Sequence, residues 1–267
     1  MDIAVSKPRK KKKIVHAATG GVAFDSALPT IVFLHGASMD HTVWALQTRY
    51  FAYNGYGVLA VDLPGHGKSG GPPLASIGAI ADWLWALLDT MGVERAALVG
   101  HSMGALVGLE AAARHPTRAT KLALVGTSPV MPVNDAMLDA TRDDPALAGR
   151  MIVAFAYGRR AQIGGMRAPG LWMTGGGLSL LARARDGAMH ADFSACNAYQ
   201  DGLASAAKIT CPTLIVSGAE DRMTPVRAAK PLLEVIPSVS MTVIAEAGHM
   251  MMVEQPDGTL DALKGFF

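Results

Sequence analysis

Short, wholly apolar runs alternate with longer segments rich in alanine and leucine, and this alternation constrains the fold more than any other feature. Apolar runs without polar alternation are typical of parallel strands that helices cover on both faces. We therefore predict an α/β fold, a mostly parallel central sheet with helices on both faces. The predicted strands are residues 30–34, 58–61, 96–99, 122–125, 213–217 and 241–244, and the predicted core helices are residues 77–91, 103–115, 228–236 and 258–267.

The alternation breaks once, over the nearly ninety residues between Val125 and Thr213, where one helix would be enough. A structureless loop of that length is uncommon in a compact domain. We expect an inserted helical cap there, and its glycine-rich middle is either an irregular surface loop or a mobile lid edge. The predicted boundaries are 129–208 for the cap and 14–128 with 209–267 for the core, and the predicted cap helices are 135–141, 146–157, 178–189 and 194–206.

The net charge of +2 conceals an uneven distribution. Residues 1–13 carry six basic side chains against one acidic, whereas the rest of the chain has 18 basic and 21 acidic residues. We expect residues 1–13 to be a disordered basic tail. The rest of the chain lacks the excess of basic residues that is typical of a nucleic-acid-binding surface. No run approaches the roughly 18 apolar residues of a membrane span. The two cysteines, Cys196 and Cys211, form no disulfide framework, so we expect a reduced, cytoplasmic protein.

Two glycine motifs that suggest nucleotide binding fail in their context. Gly65, Gly67 and Gly70 match the pattern G-x-G-x-x-G, but a Gly-Pro-Pro sequence follows, so no helix begins there to bind a pyrophosphate. Gly67-Lys68-Ser69 resembles the end of a P-loop, whose first glycine would fall on Asp62. We therefore expect neither an organic cofactor nor a metal.

A candidate nucleophile lies in the sequence Gly100-His101-Ser102-Met103-Gly104. This G-x-S-x-G pattern stands between a predicted strand and a predicted helix, which is the setting of a nucleophile elbow. Glycines are needed on both sides because side chains there would collide with the neighbouring strand and helix. We predict that Ser102 is the nucleophile.

A serine hydroxyl is a weak nucleophile near neutral pH and needs a histidine base that an acid orients. In this architecture the chain order is serine, acid, histidine. His249 follows the last predicted strand, whereas His115 lies at a helix end and His190 within the cap, so His249 is the predicted base. Asp221, after the fifth predicted strand, is the predicted acid, and Glu220 is the alternative.

Acyl transfer also needs two preorganised N–H donors for the oxyanion. One is expected from the amide of Met103, directly after the serine, and the other from the amide of Ala37, in the loop after the first predicted strand. In that loop Gly36 lets the backbone turn inward. We expect His35 to bond within the loop and not to act as a second base.

Together these motifs resemble the α/β-hydrolase superfamily, in particular its serine esterase-like members with a helical cap. The resemblance covers nearly all of the chain from about Thr30 onward. It implies a structural turn at residues 62–69 and a pocket between the sheet edge and the cap, which we expect Ser38, His101, Trp172 and Met250 to line. The residues that carry it are His35-Gly36, residues 62–69, Gly100–Gly104, Gly218-Ala219-Glu220-Asp221, and Gly248-His249 with Glu254 and Pro256.

The predicted activity is hydrolysis of a small-molecule carboxylic ester or lactone through a Ser-His-Asp triad and an acyl-enzyme. Relatives that open epoxides or cleave carbon–halogen bonds have a carboxylate in place of Ser102. One alternative is a C–C bond hydrolase of vinylogous diketo acids, which needs a cationic clamp for the substrate carboxylate. The second alternative is a non-catalytic receptor on the same fold, and the oligomeric state stays open. The cap arginines available for a clamp are Arg159, Arg160, Arg183 and Arg185.

Overall fold

A computed structural model describes residues 1–5, 13–165 and 171–267 of the chain. Eight strands form one sheet: β1 (Asp2–Val5), β2 (Lys13–Ala18), β3 (Thr30–Leu34), β4 (Gly57–Val61), β5 (Ala96–His101), β6 (Ala119–Val125), β7 (Thr213–Gly218) and β8 (Val239–Ile244). The strand order is β1-β2-β4-β3-β5-β6-β7-β8. Strands β3 to β8 are parallel to one another, and β2 runs antiparallel to both of its neighbours, β1 and β4. The predicted mostly parallel α/β sheet is confirmed.

Helices cover both faces of this sheet. Successive side chains of a strand point to opposite faces, and in β3 Ile31 and Phe33 belong to one buried cluster while Val32 and Leu34 belong to the other. The helices of the described residues are α1 (Ala45–Ala52), α2 (Ile77–Thr90), α3 (Met103–Arg114), α4 (Asp135–Asp143), α5 (Pro145–Ala156), α6 (Arg159–Gln162), α7 (Met173–Leu181), α8 (Ala188–Ala198), α9 (Gly202–Ala206), α10 (Lys230–Val235), α11 (Met251–Glu254) and α12 (Pro256–Phe266), with 3₁₀ helices at His41–Trp44 and Val226–Ala229.

The N-terminal strands correct the predicted tail. Residues 1–13 were expected to be disordered, but β1 pairs with β2, and β2 continues the sheet beside β4. Ile3 lies opposite Val15, and both side chains are buried in the core, which provides the apolar contact that holds this edge. Sequence analysis missed β1 because the strand has only four residues and lies close to the lysine run. Residues 6–12 of the predicted tail lie outside the described residues.

The helices α4 to α9 lie in the segment between β6 and β7, residues 126–212, which we call the inserted segment. The predicted helices 135–141 and 146–157 correspond to α4 and α5. The prediction of one helix over 178–189 is wrong, because α7 ends at Leu181 and α8 begins only at Ala188, after Gly187 at φ 76°. The prediction over 194–206 is also wrong, since α8 ends at Ala198. No helix in the described part of the chain is long and apolar enough to cross a membrane.

The parallel strands bring the predicted site residues to one edge of the sheet. His35 follows β3, Ser102 follows β5, Asp221 lies after β7 and His249 lies after β8. Because the carboxyl ends of parallel strands meet at the same edge, residues from four distant parts of the sequence converge there.

Candidate active site

Ser102 stands in a strained turn between β5 and α3. Its φ of 53° and ψ of −118° place a non-glycine residue on the left-handed side of the backbone map, a conformation that costs on the order of 1–3 kcal/mol. A side chain at Gly100 would collide with the backbone of Gly104, and one at Gly104 with the carbonyl oxygens of β3 and His35. The amide of Ser102 donates to the carbonyl of Val125 at 2.9 Å, which ties the turn to β6.

Asp221 and His249 form a buried pair beside this turn. Nδ1 of His249 lies 2.8 Å from Oδ2 of Asp221. The hydroxyl of Thr224 also donates to Oδ2 at 2.8 Å, and the amides of Met223 and Thr224 donate to Oδ1 at 2.8 and 2.9 Å. Burial alone would raise the pKa of Asp221, but the charge and hydrogen bond of His249 and the bonds from Thr224 outweigh it and hold the pKa below 3.8. Asp221 is therefore an ionised acceptor for Nδ1–H.

The second ring nitrogen of His249 is left open. Nε2 has no hydrogen-bond partner among the described residues, although His249 is only 2% exposed. With Nδ1 protonated and bonded to Asp221, Nε2 is the nitrogen with a free lone pair. Glu220, the alternative acid, lies elsewhere: its Oε2 accepts the amide of Arg159 at 2.7 Å. Asp221, not Glu220, is the carboxylate that contacts His249.

The loop that carries His249 is fixed by Glu254. Its Oε1 accepts the amides of Gly248 and Met250, on either side of His249, at 3.0 and 3.1 Å. Its Oε2 accepts the amide of Gly158 in the inserted segment at 2.7 Å. Burial raises the pKa of Glu254, and these three bonds oppose the rise only in part. One carboxylate thus connects the histidine loop to the inserted segment.

The loop after β3 presents the amide of Ala37 next to Ser102. The carbonyl of Gly36 accepts from Nδ1 of His35 at 2.8 Å and from the amide of Met39 at 3.2 Å. Carbonyl and amide point in opposite directions within a trans peptide, so these bonds turn the N–H of Ala37 the other way. Neither this amide nor that of Met103 has an acceptor among the described residues.

A cavity of about 550 Å³ contains Ala37, Ser102 and His249 in its lining. This volume is within the range of about 300–1,000 Å³ that is usual for small-molecule sites. The inserted segment supplies much of the wall through α4, α5 and α8, and the side chains are mostly apolar, with four methionines. Those methionines are Met131, Met137, Met151 and Met223.

The sequence of the chain matches the α/β-hydrolase fold family over residues 29–256. The match includes the serine turn, the Asp221–His249 pair and the inserted segment. The chain belongs to the α/β-hydrolase family.

Proteins similar to this α/β-hydrolase have different hydrolytic activities. The pimeloyl-[acyl-carrier protein] methyl ester esterase of Aromatoleum aromaticum is 30% identical over 252 residues, 86% of this chain and 94% of its own. The 2-hydroxy-6-oxononadienedioate/2-hydroxy-6-oxononatrienedioate hydrolase of Cupriavidus pinatubonensis is 28% identical over 239 residues, with 82% and 80% covered. The structure of a thermophilic esterase superposes with a TM-score of 0.79 at 25% identity, with 100% of this chain and 96% of the other covered.

None of the four residues that the sequence predicted for the pocket of this α/β-hydrolase is in the described lining of the cavity that contains Ser102. Trp172 is 68% exposed at the start of α7, Met250 is buried in the core, and Ser38 faces a different depression beside His41 and His66. His101 is fully buried beneath the site.

His101 supports His249 from below. Its Nε2 donates to the carbonyl of His249 at 2.9 Å, and the two ring centroids are 4.7 Å apart. Burial, followed by the charge of His249, lowers the pKa of His101 well below 6.5, so this ring is neutral. Residues next to Ser102 in the sequence alternate in direction along β5, which is why His101 points into the protein.

Sequence analysis missed two residues of the site. One is Arg222, the one Arg, Lys, Asp or Glu in the described lining, and its guanidinium stacks over the ring of Phe155 at 5.3 Å. The other is Thr224, whose hydroxyl and amide donate to Asp221. The available signal was Asp221 itself, because aspartate side chains often accept backbone amides a few residues further along the chain. The clamp arginines of the alternative activity, Arg159, Arg160, Arg183 and Arg185, do not line this cavity.

One group of described residues has the composition of a metal site: His16, His41 and Asp62. Oδ1 of Asp62 accepts from the ring and the amide of His41 at 2.8 Å, and Oδ2 accepts the amide of Lys68 at 2.9 Å. Nδ1 of His16 bonds to Asp2 instead. Oδ1 of Asp62 therefore serves the 3₁₀ helix His41–Trp44, and Oδ2 serves the structural turn that follows β4. The group lies outside the cavity.

Proposed function

We propose that this α/β-hydrolase cleaves carboxylic esters, open-chain or lactone, through an acyl-enzyme. Ser102 is the nucleophile, His249 the general base and acid, and Asp221 the carboxylate that orients His249. The amides of Ala37 and Met103 bind the oxyanion. The helices of the inserted segment act as a cap over the pocket.

The observation that carries this proposal is the open Nε2 of His249 in a cavity that also contains Ser102. Nδ1 is already bonded to the ionised Asp221, so Nε2 is the nitrogen available to take the serine proton. As Ser102 Oγ attacks the ester carbonyl, its proton passes to Nε2. The carbonyl oxygen gains negative charge, which the amides of Ala37 and Met103 stabilise.

The second half of the reaction uses the same groups. The imidazolium of His249 gives its proton to the leaving alcohol oxygen as the C–O bond breaks, and the acyl group stays on Ser102. A water molecule then gives a proton to Nε2 and attacks the acyl carbon. Return of that proton to Ser102 Oγ releases the carboxylic acid.

The cavity favours an apolar acyl or alcohol group. Its described lining is dominated by methionine and aliphatic side chains, and Arg222 is exposed to solvent at its edge. An ester with a hydrocarbon chain therefore fits the interior, and a remote anionic group fits only near Arg222. The similarity to an esterase of Aromatoleum aromaticum supports the same substrate class.

C–C bond hydrolysis of a vinylogous diketo acid is the second candidate. It is supported by the relative from Cupriavidus pinatubonensis, which is named as a hydrolase of 2-hydroxy-6-oxo dioic acids. Such a substrate carries carboxylates that need cations within the pocket. The four arginines expected to supply them do not line the cavity, and Arg222 alone remains. The lining thus favours the ester over the diketo acid.

The test is hydrolysis of p-nitrophenyl acetate and butyrate by the wild-type protein and by Ser102→Ala. We expect steady turnover with a preference for butyrate, abolished in Ser102→Ala, with folding of the variant checked by circular dichroism. Turnover of a vinylogous diketo acid at a higher kcat/KM than of any ester would favour the second candidate. Ester turnover that survives in Ser102→Ala would contradict the proposal.

A further inference from the structure

A second buried aspartate–histidine pair joins the inserted segment to the core. Oδ2 of Asp192, on α8, lies 2.8 Å from Nε2 of His66, in the loop after β4. The same oxygen accepts the amide of Ser38, in the loop after β3, at 2.7 Å. Asp192 is 1% exposed and His66 is 3% exposed. Three segments that are far apart in sequence therefore meet on one carboxylate oxygen.

The hydrogen bonds of His66 assign it a positive charge. Its Nε2 faces the carboxylate of Asp192, and its Nδ1 faces the carbonyl oxygen of Pro64 at 3.0 Å. Both partners only accept, so each ring nitrogen carries a hydrogen when Asp192 is ionised. Burial lowers the pKa of His66, but the bond to Asp192 and the charges of Asp192 and Asp62 outweigh it and raise the pKa above 6.5.

The neighbouring ring of His35 is neutral by the same reasoning. Its Nδ1 donates to Gly36, and its Nε2 accepts the amide of Leu63 at 3.1 Å. Burial and the nearby charge of His66 lower the pKa of His35 to about 4. A charged His66 therefore adds to burial in keeping His35 neutral, with Nδ1 as the donor to Gly36 and Nε2 as the acceptor for Leu63.

Asp192 fixes the next peptide of the loop, Ala37–Ser38, on the other side of Ala37. Ser38 follows Ala37 directly and has a φ of 62°, a strained value for a non-glycine residue. The bond from its amide to Asp192 stabilises this conformation. The carbonyl of Gly36 is fixed before Ala37, and the amide of Ser38 is fixed after it. Ala37 thus lies between two anchored peptides, and its own N–H has no acceptor among the described residues.

We propose that Asp192, with His66 as its buried cation, is a positioning residue of the inserted segment that holds the Ala37 amide in place for the oxyanion. This inference rests on the proposed function, because it gives Ala37 a role in that reaction. Asp192 touches no reacting atom and acts through the loop of residues 35–39. The neighbouring side chains Phe193 and Cys196 on α8 line the cavity, so the helix that holds Asp192 also contacts the substrate space.

The first experiment measures kcat and KM for p-nitrophenyl butyrate in Asp192→Asn. Removing an oxyanion donor costs roughly 10²–10³-fold in rate in a serine protease, and a donor that is only loosened should cost less, about 10- to 100-fold. Because the donor acts on the transition state, kcat should fall while KM stays within about twofold. An unchanged kcat in folded Asp192→Asn would overturn the inference.

The matched control is Glu110→Gln. Glu110 is another buried carboxylate that joins the core to the inserted segment, through Tyr199 at 2.8 Å and Ser205 at 2.6 Å, but it does not contact the loop of residues 35–39. We expect it to lower stability with kcat unchanged. An equal loss of kcat in both variants would show a general structural effect and overturn the inference.

The second experiment does not depend on any variant being folded. In ¹⁵N-labelled wild-type protein, NMR of the histidine rings at pH 6 should show hydrogens on both nitrogens of His66 and a neutral ring for His35. A neutral His66 at that pH would remove the buried cation beside Asp192 and would overturn the inference. If the wild type hydrolyses no ester and Ser102 is unreactive, the proposed function fails; if the wild type is active and Asp192→Asn equally so, only this inference fails.

Discussion

The protein contains two buried aspartate–histidine pairs with similar geometry. They differ in whether the second ring nitrogen of the histidine has a hydrogen-bond partner. In Asp221–His249 and in Asp192–His66 the nitrogen and oxygen are 2.8 Å apart, and both carboxylates also accept backbone amides. The other nitrogen of His249 is open, whereas the other nitrogen of His66 bonds to Pro64. A histidine with an open nitrogen can exchange a proton with a substrate. A histidine with both nitrogens engaged can only hold its neighbours.

The two aspartates also differ in how they are held. Asp221 is fixed by residues two and three positions further along its own loop, Met223 and Thr224. Asp192 comes from the inserted segment and reaches a residue 154 positions away, Ser38. The first arrangement is local and does not depend on the inserted segment. The second makes the geometry of the core loop depend on the placement of α8.

The largest expected effect is a difference in kcat between substitutions of the two histidines, His249 and His66. In His249→Ala, kcat for p-nitrophenyl butyrate should fall by at least about 10⁴-fold, because the base for attack and the acid for the leaving group are both lost. His66→Asn should cost far less, about 10- to 100-fold, because only positioning is lost. Comparable losses in the two folded variants would break the distinction between the pairs.

The next effect tests the orienting carboxylate. Asp221→Asn should lower kcat by about 10⁴-fold, since an amide at this position favours the wrong tautomer of His249. Glu220→Gln is the matched control, because Glu220 bonds to Arg159 and does not contact His249. We expect its kcat to be close to that of the wild type. A larger loss in Glu220→Gln would mean that the acid has been misassigned.

The Asp192–His66 pair should also make stability depend on pH. The pKa of His66 is raised in the folded protein, so the pair's contribution is fully present below pH 6.5 and is lost as pH rises through the folded pKa. Urea unfolding should show that Asp192→Asn costs about 1.5–3 kcal/mol at pH 6, and less at pH 9. A difference between wild type and variant that grows with pH would contradict a charged His66.

The smallest effect concerns Thr224, which has no counterpart beside Asp192. Thr224→Val removes one of the donors to Asp221 and should cost about 1–2 kcal/mol at pH 7, with kcat lowered less than tenfold. The depressed pKa of Asp221 stabilises the fold above pH 3.8, and this contribution is lost as pH falls through the folded pKa. The cost of Thr224→Val in urea unfolding should therefore shrink as pH falls through the folded pKa of Asp221, which lies below 3.8. A cost that is the same above and below that pKa would show that Asp221 is not involved.

Local patterns explain what the sequence could predict. The parallel strands, α3 and the turn at Ser102 follow from apolar runs and from glycines two residues on either side of the serine. The order of serine, acid and histidine led to the Asp221–His249 pair, because each residue follows its own strand. The short β1 escaped prediction, since its four residues stand beside a lysine run and depend on pairing with β2 for their order.

The pocket and the second pair could not be predicted because they depend on direction and on distant contacts. His101 and Met250 are neighbours of site residues in the sequence, but their side chains point into the core. Asp192 and His66 are 126 positions apart, and no spacing rule joins a helix of the inserted segment to a turn after β4. The contact between Asp192 and His66 forms only when α8 packs against the core.

The most direct test of the account is labelling of Ser102 by a small fluorophosphonate, followed by peptide mass spectrometry. This reagent reacts with an activated serine and does not require a particular ester to enter the pocket. We predict one adduct, on Ser102, formed rapidly in the wild type, at least about 10³-fold more slowly in His249→Ala, and absent in Ser102→Ala. Labelling at another residue, or equal rates in the wild type and His249→Ala, would contradict the assignment of Ser102 and His249 as nucleophile and base.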